Sequence, residues 1–128
     1  MNLAAWIVSG LLAATYLMAG TLKTTQPAAK LQPKMGWVED ISLATLRLIG
    51  VSELLGAAGL ILPKLTGIVD DRAGVDGTLT GLAATGLVAI QVLALPVHWR
   101  RGEKDAVPVN LVLALLAAFV AAARLGWL

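Results

Sequence analysis

Apolar residues run almost unbroken along four stretches of the chain, and polar residues gather between them. The first stretch extends from about Leu3 to Leu22 and carries no charge. The second extends from about Leu43 to Leu62 and ends at Pro63. The third covers about Leu79 to Val97, and the fourth about Val107 to Ala123. A helix rises about 1.5 Å per residue and the hydrocarbon core of a bilayer is about 30 Å thick, so about 20 apolar residues suffice to cross it. Each stretch is of that order, and each is dominated by Ala and Leu, which are strong helix formers. Lipid offers no hydrogen bonds, so only helices or a closed barrel can span it. Barrel strands would alternate in polarity over about ten residues, and no such alternation is present. The pattern predicts an all-α fold, a four-transmembrane-helix up-down bundle with residues 1–128 as one membrane domain.

The connections fit that topology. Residues 23–42 form the longest loop, with Pro27, Pro33 and Trp37. Residues 63–78 form the second, with the run VDDRAGVDG, and residues 98–106, HWRRGEKDA, form the third. The first span lacks a basic leading region and its apolar run exceeds that of a signal peptide, so an uncleaved span is expected.

Within the spans the polar residues are ordered. Ser9, Ala13, Tyr16, Gly20 and Lys23 recur at steps of four and three, which places them on one helix face. Gly50, Glu53 and Ala57 share a face of the second span, with Gly56 beside it. Ala84, Gln91, Ala94 and His98 align on the third, and Asn110, Ala114, Ala117, Ala121 and Arg124 on the fourth. Small residues let membrane helices approach closely, and intramembrane polar groups face inward. The four stripes are expected to meet along the bundle axis. Structural roles account for much of this. Gln91 and Asn110 can bond across helices for about 0.6 kcal/mol each, and Tyr16 can serve packing. Lys23, Arg100, Arg101 and Arg124 stand near span ends, where long cationic side chains snorkel to the headgroups. Trp6, Trp37, Trp99 and Trp127 fit an interfacial belt.

Glu53 is harder to explain by packing. It lies about ten residues, or about 15 Å, from either end of its span, out of reach of the headgroups. A carboxyl there must be protonated, paired or exposed to a wet cavity, and its insertion costs about 2.5–3.5 kcal/mol. Arg47, on the same helix, is displaced by about 9 Å and a third of a turn, so a direct Arg47–Glu53 bridge is not expected. Lys23, His98 and Asn110 all belong to the end of loops one and three, with Gln91 one to two turns deeper. The polar groups form a graded column, basic at the mouth and acidic at the floor, which suggests a pocket opening toward those loops. Arg124 alone stands at the opposite end.

Composition bears on class and chemistry. Of 128 residues, 58% are hydrophobic and 14% charged, against about 25% charged in soluble domains, and the mean hydropathy is +0.80. The chain has no cysteine and one histidine. That excludes disulfides, thiolate metal sites and a dithiol relay within it, and gives no basis for zinc. No metal and no bound cofactor are expected. Lys23, Lys30, Lys34, Arg100, Arg101 and Lys104 lie on the side of loops one and three, whereas Lys64, Arg72 and Arg124 lie on the other. The excess of basic residues predicts loops one and three in the cytoplasm and both termini outside a cell membrane.

Taken together, AGTLK at 19–23, LIGVSELLGAAGLILP at 48–63, LAATGLVAIQVLALPVH at 82–98, RGE at 101–103, PVN at 108–110 and Arg124 resemble the DoxX-like family of small four-helix membrane proteins. The resemblance covers nearly the whole chain in order, and its IGxxELxGAxGL core is its most specific part. It implies a four-helix bundle with Lys23, Glu53, His98, Asn110 and Arg124 turned inward. Thr24, where the family often has Leu, and the long VDDRAGVDG loop depart from the family pattern. The family's namesake resembles a subunit associated with thiosulfate:quinone oxidation, other relatives look like receptor-assembly chaperones, and others are similar to sterol isomerases. A fold does not carry one activity across that range.

Three functional classes follow. The first is a binding module or redox-complex subunit whose intramembrane pocket takes a quinone- or isoprenoid-like molecule, with Tyr16, Lys23, Gln91, Asn110 and Arg124 as ligand contacts. The second is a membrane enzyme in which Glu53 acts as general acid or base and His98 or Lys23 handles the second proton, for isomerisation, epoxide opening or terpene cyclisation. The third, a small transporter, is disfavoured because four-helix exporters place their membrane Glu in the first helix. Expected partners are the lipid bilayer, a lipophilic small molecule and a partner redox protein, but not nucleic acid. A homodimer is also expected, on the reasoning that Gly59, Ala118 and Ala122 make the outer faces of spans two and four smooth.

Overall fold

The computed structural model describes residues 2–31, 33, 35, 36, 38, 41–66, 75–103 and 106–126. Four long helices, α1 (Asn2–Thr25), α3 (Leu43–Thr66), α4 (Val75–Arg100) and α5 (Ala106–Arg124), are joined by a short α2 (Ala28–Leu31) within loop one. Each long helix packs on the next in chain order and α5 closes against α1, the ring expected of an up-down bundle. All four are long and apolar enough to cross a membrane. Most of the VDDRAGVDG run, residues 69–74, lies outside the described residues, as do Trp37 and Trp127.

The helices outrun the apolar stretches. α1 continues through Thr24 and Thr25, whose hydroxyls donate back to the carbonyls of Gly20 and Thr21 at 2.6 Å, so these polar residues need no partner outside the helix. α3 does not stop at Pro63 but runs to Thr66. The proline forfeits one backbone bond, to the carbonyl four residues earlier, without ending the helix. Span length read from hydropathy measures contact with hydrocarbon, not helix length.

Burial is inverted relative to a soluble protein. Leu3, Leu17, Leu48, Leu55, Leu93 and Leu115 are exposed on the outside, whereas Ser9, Glu53, Thr80, Gln91 and Asn110 are buried with the apolar core of Leu12, Tyr16, Leu60, Leu87 and Val120. That arrangement suits a lipid solvent, and the protein is a multi-pass membrane protein. Gly59 is placed differently from the expectation. A Cβ on it would come within 2.6 Å of the Ala83 Cβ, so it is part of the α3–α4 contact and not of an outer face. Of the three residues invoked for a dimer only Ala118 is exposed, while Gly59 and Ala122 are half-buried.

One crossing positions the polar residues. A Cβ on Gly20 would lie 2.9 Å from the Gly50 carbonyl oxygen, and one on Gly50 would lie 2.5 Å from Thr24 Oγ1 and 2.9 Å from the Thr24 nitrogen. The backbones of α1 and α3 therefore touch, and only glycine fits there. Lys23 and Glu53 each follow one of these glycines by three residues. Side chains on a helix lean toward its N-terminus. In this antiparallel pair Lys23 leans into the bundle, Glu53 leans toward loop one, and the two converge.

Candidate functional site

Convergence at the α1–α3 crossing produces an ion pair. Lys23 Nζ donates to Glu53 Oε1 at 2.5 Å, with the carboxylate side chain only 2% exposed. A charge buried in a low-dielectric interior needs a counter-charge. That need outweighs snorkelling, and Lys23 turns inward instead of reaching for the headgroups.

The end of α1 that carries Lys23 is held by a specific device. The Lys23 carbonyl would normally accept from the N–H of residue 27, but residue 27 is proline and has none. Arg47 Nη1 takes the place of that donor, giving bonds of 2.8 Å to the Lys23 carbonyl and 2.7 Å to that of Gln26. Arg47 is thus committed to the end of α1 and not to Glu53, in line with the expectation. Its capping role lies outside what hydropathy reads, although Pro27, four residues after a helix-end Lys, is a readable signal. The start of α3 is set by Ser42, whose Oγ accepts from the Thr45 N–H at 3.1 Å, an N-cap.

From α4, Gln91 Nε2 donates to Tyr16 Oη at 2.7 Å, a buried bond across the bundle. Tyr16 itself belongs to the packed core behind Gln91. His98 is placed by the way α4 ends. Gly102 has φ of 72°, the left-handed conformation that terminates helices. The Glu103 N–H bonds to the His98 carbonyl at 2.9 Å and the Gly102 N–H to that of Trp99 at 3.1 Å, which is a Schellman motif. This turn brings Glu103 Oε1 to 3.5 Å from His98 Nδ1 and 3.0 Å from Arg101 Nε. Loop one reaches the same place, since a Cβ on Gly36 would lie 2.9 Å from an Arg101 guanidinium nitrogen.

These groups surround one cavity of about 450 Å³. Lys23, Glu53, Gln91, His98 and Asn110 supply its polar wall, and Ile49, Ile90, Leu93, Ala94 and Val97 its apolar wall. Met35, Ile41 and Thr45 also line it, and hydropathy passes over them because they lie in loop one or the first turn of α3. Their signal is the apolar spacing of Leu31, Met35, Val38 and Ile41. Leu31 and Val38 pack with Leu46 into a small core of their own, against which Leu22, Met35 and Ile41 rest. These described residues of loop one thus pack against the ends of α1 and α3. Arg124 lies away from this cavity, its guanidinium 5.5 Å from the Trp6 ring centroid, at the opposite end. A second depression, on the outer face of α4 and α5, is lined by Val92, Leu95, Pro96, Trp99, Val107 and Leu111. With little polar surface it has little with which to orient a ligand.

Chemically, the cavity offers an apolar enclosure, one internally neutralised pair of charges, two amides and one imidazole. Glu53 Oε2, Gln91 Oε1 and Asn110 Nδ2 are buried without a hydrogen-bond partner, a costly condition in a native interior. Comparison of the chain with curated proteins and with solved structures finds no match. The sequence profile of the DoxX-like family does match, over residues 7–120, a range that takes in part of every span and every residue lining the cavity, so the chain belongs to the DoxX-like family.

Proposed function

We propose that the protein binds a lipophilic molecule with a polar head, quinone- or isoprenoid-like, in an intramembrane pocket, as a binding or redox-complex subunit. The observation that carries this reading is the cavity itself. At about 450 Å³ it falls within the roughly 300–1,000 Å³ of small-molecule sites, and like them it combines apolar walls with a few placed polar groups. The chain has no cysteine, so electrons given to a bound quinone, or taken from its reduced form, would be exchanged with a partner protein. The distribution of basic residues supports an orientation with loops one and three in the cytoplasm.

A filling substitution tests the pocket. Ala94 lines the cavity, whereas Leu111 lines the outer groove. Ala94→Phe should remove the lipophilic species that copurifies with the wild type and leave helicity intact, and Leu111→Phe should leave both unchanged. Equal content of that species in Ala94→Phe and the wild type would contradict the proposal.

A second reading, acid or base catalysis by Glu53 on a lipophilic substrate, is favoured by the unpartnered Oε2 of that residue. The two readings separate in Glu53→Gln, which keeps shape and removes the ionisable group. A binding role predicts retained ligand and function, and a catalytic role predicts retained ligand with turnover abolished.

A further inference from the structure

After the bundle has formed its own bonds, three residues that line the cavity each retain one polar atom without a partner: Glu53 Oε2, Gln91 Oε1 and Asn110 Nδ2. All three residues are more than nine-tenths buried. Gln91 has committed its amide nitrogen to Tyr16, and Glu53 has committed its other oxygen to Lys23. What remains is two acceptors and one donor. The residues that carry these atoms belong to the cavity wall, so a molecule seated in the cavity, with a small shift of these side chains, is the partner nearest to hand.

This inventory discriminates among head groups. An anion would face the Glu53 carboxylate, while the Lys23 ammonium that would attract it is already engaged. A cation would face Lys23. A ketone, aldehyde or ether only accepts hydrogen bonds, so it satisfies Asn110 and leaves both acceptors bare, the condition most penalised in a site of low polarity. A hydroxyl donates one bond and accepts others. Resting on the pocket reading above, we infer that the ligand is a neutral lipophilic alcohol, phenol or hydroquinone. Its O–H donates to Glu53 or Gln91 and its oxygen accepts from Asn110. The quinone-like alternative is thereby narrowed to the reduced, hydroxyl-bearing form.

The test uses the full chain in lipid nanodiscs and a diazirine-tagged farnesol as photolabel, with the labelled residues mapped by mass spectrometry. Competitors are farnesol, its methyl ether, farnesal, farnesoic acid and the hydrocarbon farnesene, which share a tail and differ in the head. The inference predicts label on Ile49, Ile90 or Val97 and displacement by farnesol at a concentration about tenfold or more below that of any other competitor. Gln91→Leu, which removes one acceptor, should still take the label but with the advantage of farnesol reduced. Label in the cavity displaced equally well by the ether or the aldehyde would overturn the hydroxyl assignment and leave the pocket standing. Label scattered over the outer surface and resistant to every competitor would overturn both.

Discussion

At the residue scale, the Lys23–Glu53 pair couples stability to the polar site. Removing one member of a buried ion pair leaves an uncompensated charge and costs about 3–5 kcal/mol, while replacing both by apolar residues is close to neutral. Lys23→Met is therefore predicted to lower the thermal unfolding midpoint in detergent strongly, and the Lys23→Met/Glu53→Leu double variant to recover most of the loss. A double variant no more stable than the single one would show that the two residues are not energetically coupled. Arg47 allows an independent check. Because Pro27 cannot donate to the Lys23 carbonyl, Arg47→Ala leaves that carbonyl without its partner. The predicted cost is about 1.5–3 kcal/mol, the range for bonds to charged groups, with partial recovery in Arg47→Lys. An unchanged melting curve for Arg47→Ala would refute the capping role.

At the element scale, glycines sort by what lies opposite them. Gly50→Ala would press a methyl into the Thr24 backbone and is predicted to destabilise the protein by about 1–3 kcal/mol, as overpacking does. Gly10 and Gly86 are also helical, but a Cβ added at either would meet nothing within 4 Å; alanine there should be neutral or stabilising by up to about 1 kcal/mol. Melting of the three variants side by side decides the matter, and equal behaviour would mean that the α1–α3 crossing is not close. The elements themselves are largely legible in the sequence. The inward stripes of Gly50, Glu53 and Ala57 and of Asn110, Ala117 and Ala121 are the buried faces, because polar groups are costly against lipid and small residues let the helices close around them. Helix ends are less legible, since they depend on local bonds such as those of Thr24, Ser42 and Gly102, which hydropathy does not weigh. Gly59 misleads for a related reason. A small residue marks a close contact but not which neighbour makes it, and here the neighbour is Ala83 of the same chain.

At the scale of the whole molecule, the sequence shows a polar column at one end of the bundle but not its roof. Depth along each helix can be counted, and it assigns Lys23, Glu53, Gln91, His98 and Asn110 to one end of the bundle, where the structure has them lining a cavity. The placing of Met35 and Ile41 at that end is only hinted at by their apolar spacing with Leu31 and Val38, because the residue they gather around, Leu46, lies on another helix. Orientation in the membrane is open to a direct check, because the chain contains no cysteine to give background. A cysteine at the exposed Ala29 of loop one should resist an impermeant thiol reagent applied to intact cells and react once the membrane is opened; labelling from outside would reverse the proposed topology. The central claim, that the cavity around Glu53 holds a lipophilic molecule, is met most directly by weighing what the protein carries. Wild type and the Lys23→Met/Glu53→Leu double variant, in which no charge is left unpaired, are extracted in the same mild detergent and their bound lipophilic species are quantified by mass spectrometry. The account predicts a species in near-stoichiometric amount on the wild type and its loss from a double variant of unchanged helicity and thermal midpoint, whereas a double variant with undiminished content would contradict it.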